Sequence, residues 1–95
     1  MAHKSFNELQ RLLQAAQSQV AVGSQYFHYK TPAKTYTVLG LCVLEANDAV
    51  AVRYAHQDAL DVEFIRALGS WLETVECDGQ TVPRFTRVDT SGSAL

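Results

Sequence analysis

Turn residues punctuate the chain after Gly23, and they constrain its fold more than any other feature. Thr31-Pro32-Ala33-Lys34 reads as a turn, because Pro32 has no amide hydrogen to give a central ladder. Ala46-Asn47-Asp48 and Asp78-Gly79 are hairpin signals, since Asn, Asp and Gly tolerate the left-handed backbone of tight turns. Pro83 marks the last β-type run as an edge strand. Between these breaks lie runs rich in aromatic and β-branched residues at 25–30, 35–44, 49–55, 71–77 and 81–88. About five short strands follow from this pattern.

The segment before Gly23 obeys a different period. Ser5-Phe6-Asn7-Glu8 has the spacing of a capping box, in which Ser5 and Glu8 satisfy each other's free amides. Leu9, Leu13, Ala16 and Val20 recur at helical steps, and Gln10, Arg11, Gln14, Gln17 and Gln19 fill the opposite face. Gly23 stands where a left-handed stop is wanted, which predicts a helix over about 6–21. The stripe suits packing on the chain's own sheet, or pairing with its copy in a homodimer. Residues 57–69 are ambiguous: Leu60, Phe64, Ile65 and Leu68 fit a helix, and the same residues fit an extended arm with a short strand at 62–66. The expected layout is one 95-residue domain, with a helix at 5–22, a β core at 23–88 and a flexible tail at 89–95.

Charge and motifs narrow the function classes. A net charge of −2 and a pI near 5.8 give no global pull toward nucleic acid or an anionic membrane. The apolar run from Val38 to Leu44 is far shorter than the roughly 20 residues needed to span a bilayer. With no signal-like apolar region at the N-terminus, a cytoplasmic protein is expected. Cys42 and Cys77 read as separate thiols, with no spacing suited to zinc. Glycine-rich phosphate loops are absent from the sequence, and no cofactor is expected.

An ordered set of short motifs adds a resemblance. Gly23-x-x-Tyr26-x-His28-Tyr29-Lys30, Tyr36-x-Val38-Leu39-Gly40, Val52-x-Tyr54, Ile65-Arg66, Trp71-x-Glu73-x-Val75 and Asp78-Gly79-x-x-Val82-Pro83-Arg84-Phe85 follow one another in this chain. The set resembles a family of small bacterial proteins known as domain of unknown function 1653. The chain differs from that pattern at Gln57-Asp58-Ala59, at Arg66-Ala67 and at Trp71. The resemblance implies a small β domain, favours the loop and short strand over 57–69, and makes the N-terminal helix an addition. The expected class is α+β: a helix followed by a five-stranded antiparallel SH3-like barrel or strongly bent sheet.

Several clusters could carry chemistry. Tyr26, His28 and Lys30 alternate onto one face of the first strand, where they suit an anion or a proton transfer. Arg53-Tyr54-Ala55-His56 forms a second cluster, with Asp58 or Asp61 as a partner for His56. Arg66 and Arg84 can clamp a carboxylate or phosphate, or tie loops to Glu63, Glu73 or Glu76. With Trp71 these residues define an expected groove of Tyr26, His28, Lys30, Arg53, Tyr54, Arg66, Trp71 and Arg84. The leading expectation is a non-catalytic module binding a small anionic ligand or a protein. The alternatives are a small enzyme or accessory subunit with His28 or His56 as general base, and a small barrel for single-stranded nucleic acid. The acidic balance weighs against nucleic acid.

Overall fold

The computed structural model describes residues 3–88, so the tail expected at 89–95 lies outside the described residues. Helix α1 (Phe6–Gln17) begins as its sequence dictates: the Glu8 amide donates to Ser5 Oγ at 3.1 Å, and the Ser5 amide donates to Glu8 Oε1 at 3.3 Å. It ends a turn earlier than its apolar period. The Ser18 hydroxyl donates to the Ala15 carbonyl at 2.7 Å, and the Gln19 amide bonds back to Ala16. A serine that competes for the helix's own carbonyls favours termination there. Val20 is still buried, carried inward by the turn instead of the helix. Gly23 does adopt a left-handed backbone, with φ of 89°. It serves the approach to the sheet rather than the helix end, since its amide donates to the Val38 carbonyl.

Seven strands follow: β1 (Gln25–His28), β2 (Thr31–Leu44), β3 (Ala49–His56), β4 (Glu63–Ala67), β5 (Thr74–Cys77), β6 (Gln80–Pro83) and β7 (Phe85–Arg87). Five of them make an antiparallel sheet in the order β4-β3-β2-β1-β7, and β5-β6 form a separate hairpin. β4 and β7 are the two outer strands, so hydrogen bonding does not close the sheet into a barrel. The proline turn expected at 31–34 is absorbed into β2 as an irregularity. Phe27 pairs with Thr35 and His28 with Thr31, which leaves Pro32, Ala33 and Lys34 outside the register. The Asp78-Gly79 turn forms as expected, with φ of 53° and 79° and Cys77 facing Gln80.

Two local expectations are corrected. Trp71 does not open a strand; it ends a one-turn helix, α2 (Leu68–Trp71), that follows β4 directly. That turn drives the indole into the core, where it is 2% exposed. The run at 81–88 is not one strand. It divides at Arg84, whose amide donates to the Glu73 carbonyl and whose carbonyl accepts from Tyr29. Arg84 is therefore the joint between hairpin and sheet.

The core lies on the sheet face that carries Val38, Val52 and Tyr54, joined by Tyr26, Val20, Trp71 and Phe85. Trp71 stacks on Phe85 at 3.7 Å with planes 4° apart, and meets Tyr26 and Tyr54 edge-on at 5.4 and 5.1 Å. The Tyr26 hydroxyl accepts from the Ala21 amide at 2.9 Å and ties the helix-to-sheet connection to this cluster. No helix among the described residues is long and apolar enough to cross a membrane.

Asp48 anchors the helix from the other side. It sits in the β2–β3 turn at φ of 57°, and its carboxylate accepts from the Lys4 amide at 2.7 Å and the His3 ring at 3.0 Å. Those bonds, the Lys4 amide first, hold its carboxyl below the usual carboxylate range. A depressed carboxylate contributes stability above its unfolded pKa, near 4, and loses it as pH falls through the folded value. Acidification below about pH 4 is thus expected to release α1 before the sheet. Asp48→Asn is expected to speed amide exchange in α1 at neutral pH and to flatten that acid dependence. Unchanged α1 protection in the variant would refute the tether.

Candidate functional site

Beside the aromatic core the same face of the sheet opens into a cup of about 380 Å³. All five strands of the main sheet and the β1–β2 turn build it. His28 comes from the end of β1, Lys30 from the turn, and Thr31 and Tyr36 from β2. Tyr54 comes from β3, Phe64 and Arg66 from β4, and Phe85 from β7. Strand alternation explains the convergence: Tyr54 lies opposite Phe64, Val52 opposite Arg66, and His28 opposite Phe85.

The cup has two ends. At one, Tyr54 meets Tyr36 at 5.7 Å and Phe64 at 5.7 Å, and Phe64 stands half exposed on the outer strand. At the other, Phe85 lies between the His28 ring, 5.0 Å away and edge-on, and the Arg66 guanidinium, 5.3 Å from its centroid. Arg66 Nη1 donates to Ser70 Oγ at 3.0 Å, which fixes the orientation of the fork. Its Nε is buried and unpartnered among the described residues.

His28 has one nitrogen committed. Its Nδ1 accepts from the Lys30 amide at 3.2 Å, so in the neutral ring the proton resides on Nε2. Burial, then the charges of Arg66, Arg84 and Lys30, lower its pKa below the usual histidine value. At neutral pH the ring is therefore an uncharged N–H donor.

The eight residues singled out from the sequence divide into three groups. His28, Lys30, Tyr54 and Arg66 come together in the cup. Tyr26 and Trp71 are buried in the core behind it. Arg53 and Arg84 are engaged elsewhere. Arg53 lies on the other face of the sheet, across Gly40, and pairs with Glu63 at 3.3 Å; a Cβ on Gly40 would stand 3.0 Å from its Nη2. Arg84 pairs with Glu73 at 2.9 Å. Lys30 and Arg66 have no carboxylate within ion-pair distance among the described residues.

Tyr36, Phe64 and Phe85 were not singled out as groove residues, though alternation from Val38 would have placed Tyr36 on the Tyr54 side. Phe64 required the β3–β4 register, which no local signal carries. His56 lies outside the cup: its Nδ1 accepts from the Asp58 amide at 3.1 Å, and the Asp58 carboxylate is 4.0 Å away. Cys42 pairs with Ala51 on the opposite face of the sheet from His56, so the two cannot act as nucleophile and base. Cys42 and Cys77 are both free thiols. Among the described residues no three His, Cys, Asp or Glu side chains gather as a metal site requires.

Comparisons with known proteins give a family and no activity. Residues 24–87 match the family described as protein of unknown function (DUF1653), a span that leaves α1 outside. None of the curated proteins compared with the chain matches it. A crystal structure of a protein belonging to DUF1653 from Bordetella bronchiseptica is similar at 33% identity and a TM-score of 0.61, covering 74% of this chain and 90% of that one. A match across most of the chain, together with a relative of the same family that shares its fold, places this protein in the DUF1653 family.

Proposed function

We propose that this protein is a non-catalytic binding domain that holds a small anionic ligand in the cup. One observation carries the reading: Lys30 and Arg66 line the cup without an acidic partner, whereas Arg53 and Arg84 outside it each have one. A cation facing an apolar wall without a counter-charge is poised for an anion, because pairing there is screened less than on the open surface. No Asp or Glu lines the cup to repel such a ligand. The volume is near the lower limit of small-molecule sites, which suits a compact ligand over a macromolecular surface. The non-catalytic part of the reading rests on the same lining. His28 is its single base, and the only hydroxyls beside it are those of Thr31, Tyr36 and Tyr54.

A chemical-shift screen of small anions against the isotopically labelled chain tests the proposal. Binders are expected to perturb His28, Lys30 and Arg66 together and to leave Arg53 unmoved. Binders that map only to other surfaces would remove the cup from consideration.

A further inference from the structure

The two ends of the cup differ in chemistry, and that difference restricts the ligand further. We infer that the cup takes a planar aromatic ring bearing one carboxylate or phosphate group. The inference rests on the anion-binding reading above and specifies the rest of the ligand.

The lining carries three kinds of donor: the Arg66 fork, oriented by Ser70, the His28 Nε2–H, and the exposed Lys30 side chain, whose ammonium lies 5.8 Å from the centre of the neighbouring Tyr29 ring. His28 feels the charges of Arg66, of Arg84 outside the lining, and of Lys30, in that order. One anionic group satisfies this set. The remainder of the cup offers no charged group: it is Thr31 and the four aromatic side chains Tyr36, Tyr54, Phe64 and Phe85. Tyr54 forms the centre, with Tyr36 inclined to it by 66°, Phe64 by 37° and Phe85 by 67°. Rings set at such angles present both faces and edges, so a flat ring entering among them gains stacked and edge-to-face contacts at once. A saturated chain of equal size gains only the area term.

Phe64 is the clearest sign. It stands on the outer strand with 49% of its surface exposed, although it borders the cup. A ring bound beside Phe64 in the cup would cover part of that exposed surface. Phe85 separates the two ends and touches the groups of both, at 5.0 Å from His28 and 5.9 Å from Tyr54. Ring and anion are thus required to be directly joined or nearly so.

Titration calorimetry and proton–nitrogen correlation spectra on the full chain test the inference with five probes. These are 2-naphthoate, its neutral amide 2-naphthamide, acetate, inorganic phosphate and 2-naphthyl phosphate. At least one of the two ring-bearing anions is expected to bind ten-fold or more tightly than acetate, phosphate and the amide. Preference between them assigns the anionic group as carboxylate or phosphate. Phe64→Ser is expected to lower the affinity of the preferred probe at least five-fold while leaving the weak phosphate response unchanged. Acetate or phosphate binding in the cup as tightly as the ring-bearing anions would overturn the aromatic inference and leave the anion reading standing. An amide that binds as well as the acid would overturn both, as would a cup that no probe perturbs.

Discussion

Replacing Trp71 with alanine is expected to remove about 3–5 kcal/mol of folding stability, the usual cost of deleting a large buried aromatic. The indole is almost fully enclosed and touches three of the core's other rings, including the parallel stack on Phe85. It is also the residue by which α2 closes over the sheet. A domain of this size commonly holds about 5–15 kcal/mol in total, so the variant would be close to unfolding at physiological temperature. Urea denaturation followed by circular dichroism measures the loss. Trp71→Phe, which keeps a ring against Phe85, is expected to restore more than half of it. A loss under about 1 kcal/mol for the alanine variant would show that the stack is not a stabilising contact.

Arg66→Met is expected to weaken binding of the preferred ring-bearing anion by about 10- to 100-fold, corresponding to one or two charge-assisted hydrogen bonds of about 1.5–3 kcal/mol. Methionine retains an apolar stem over Phe85 and should keep the cup's shape. Stability should change little, because the guanidinium's one side-chain hydrogen bond, to Ser70, is partly exposed and its Nε has no partner. The informative contrast is with the other arginines. Arg53→Met removes a charge from the opposite face and is expected to leave affinity unchanged. Arg84→Met breaks the Glu73 pair and removes a charge that acts on His28 from outside the lining, so a drop below three-fold is expected. Equal losses in all three variants would mean that net charge, and not the cup, governs binding.

Why Arg66 differs from Arg53 was not legible from their local sequences. Both stand between apolar residues on short strands. The register of β3 against β4 turns Arg66 to the Tyr54 side and gives Arg53 to Ile65 and the Glu63 pair. A shift of one residue would reverse those assignments. His28 and Lys30 of the first cluster and Tyr54 of the second border the same cup. Aromatic residues suit both a core and a binding wall, and burial alone does not separate the two: Tyr26 and Trp71 lie behind the cup, whereas the similarly buried Tyr54 and Phe85 border it.

Features that depend on residues close along the chain were determined by sequence alone. The Ser5–Glu8 capping box, the left-handed Asp78-Gly79 turn and the β2–β3 hairpin each arise from interactions within a few positions. The ordered motifs from Gly23 to Phe85 likewise identified the family, whose match spans 24–87. Tertiary structure decided what long-range packing controls: the one-turn helix that buries Trp71 and the division of the final run at Arg84. It also left the sheet open at β4 and β7. In each case the local preference is worth less than the burial or pairing gained elsewhere. Four turn signals were therefore enough to foresee short strands, but the cup exists because strands distant in sequence bring an unpaired Lys30 and Arg66 to one aromatic wall.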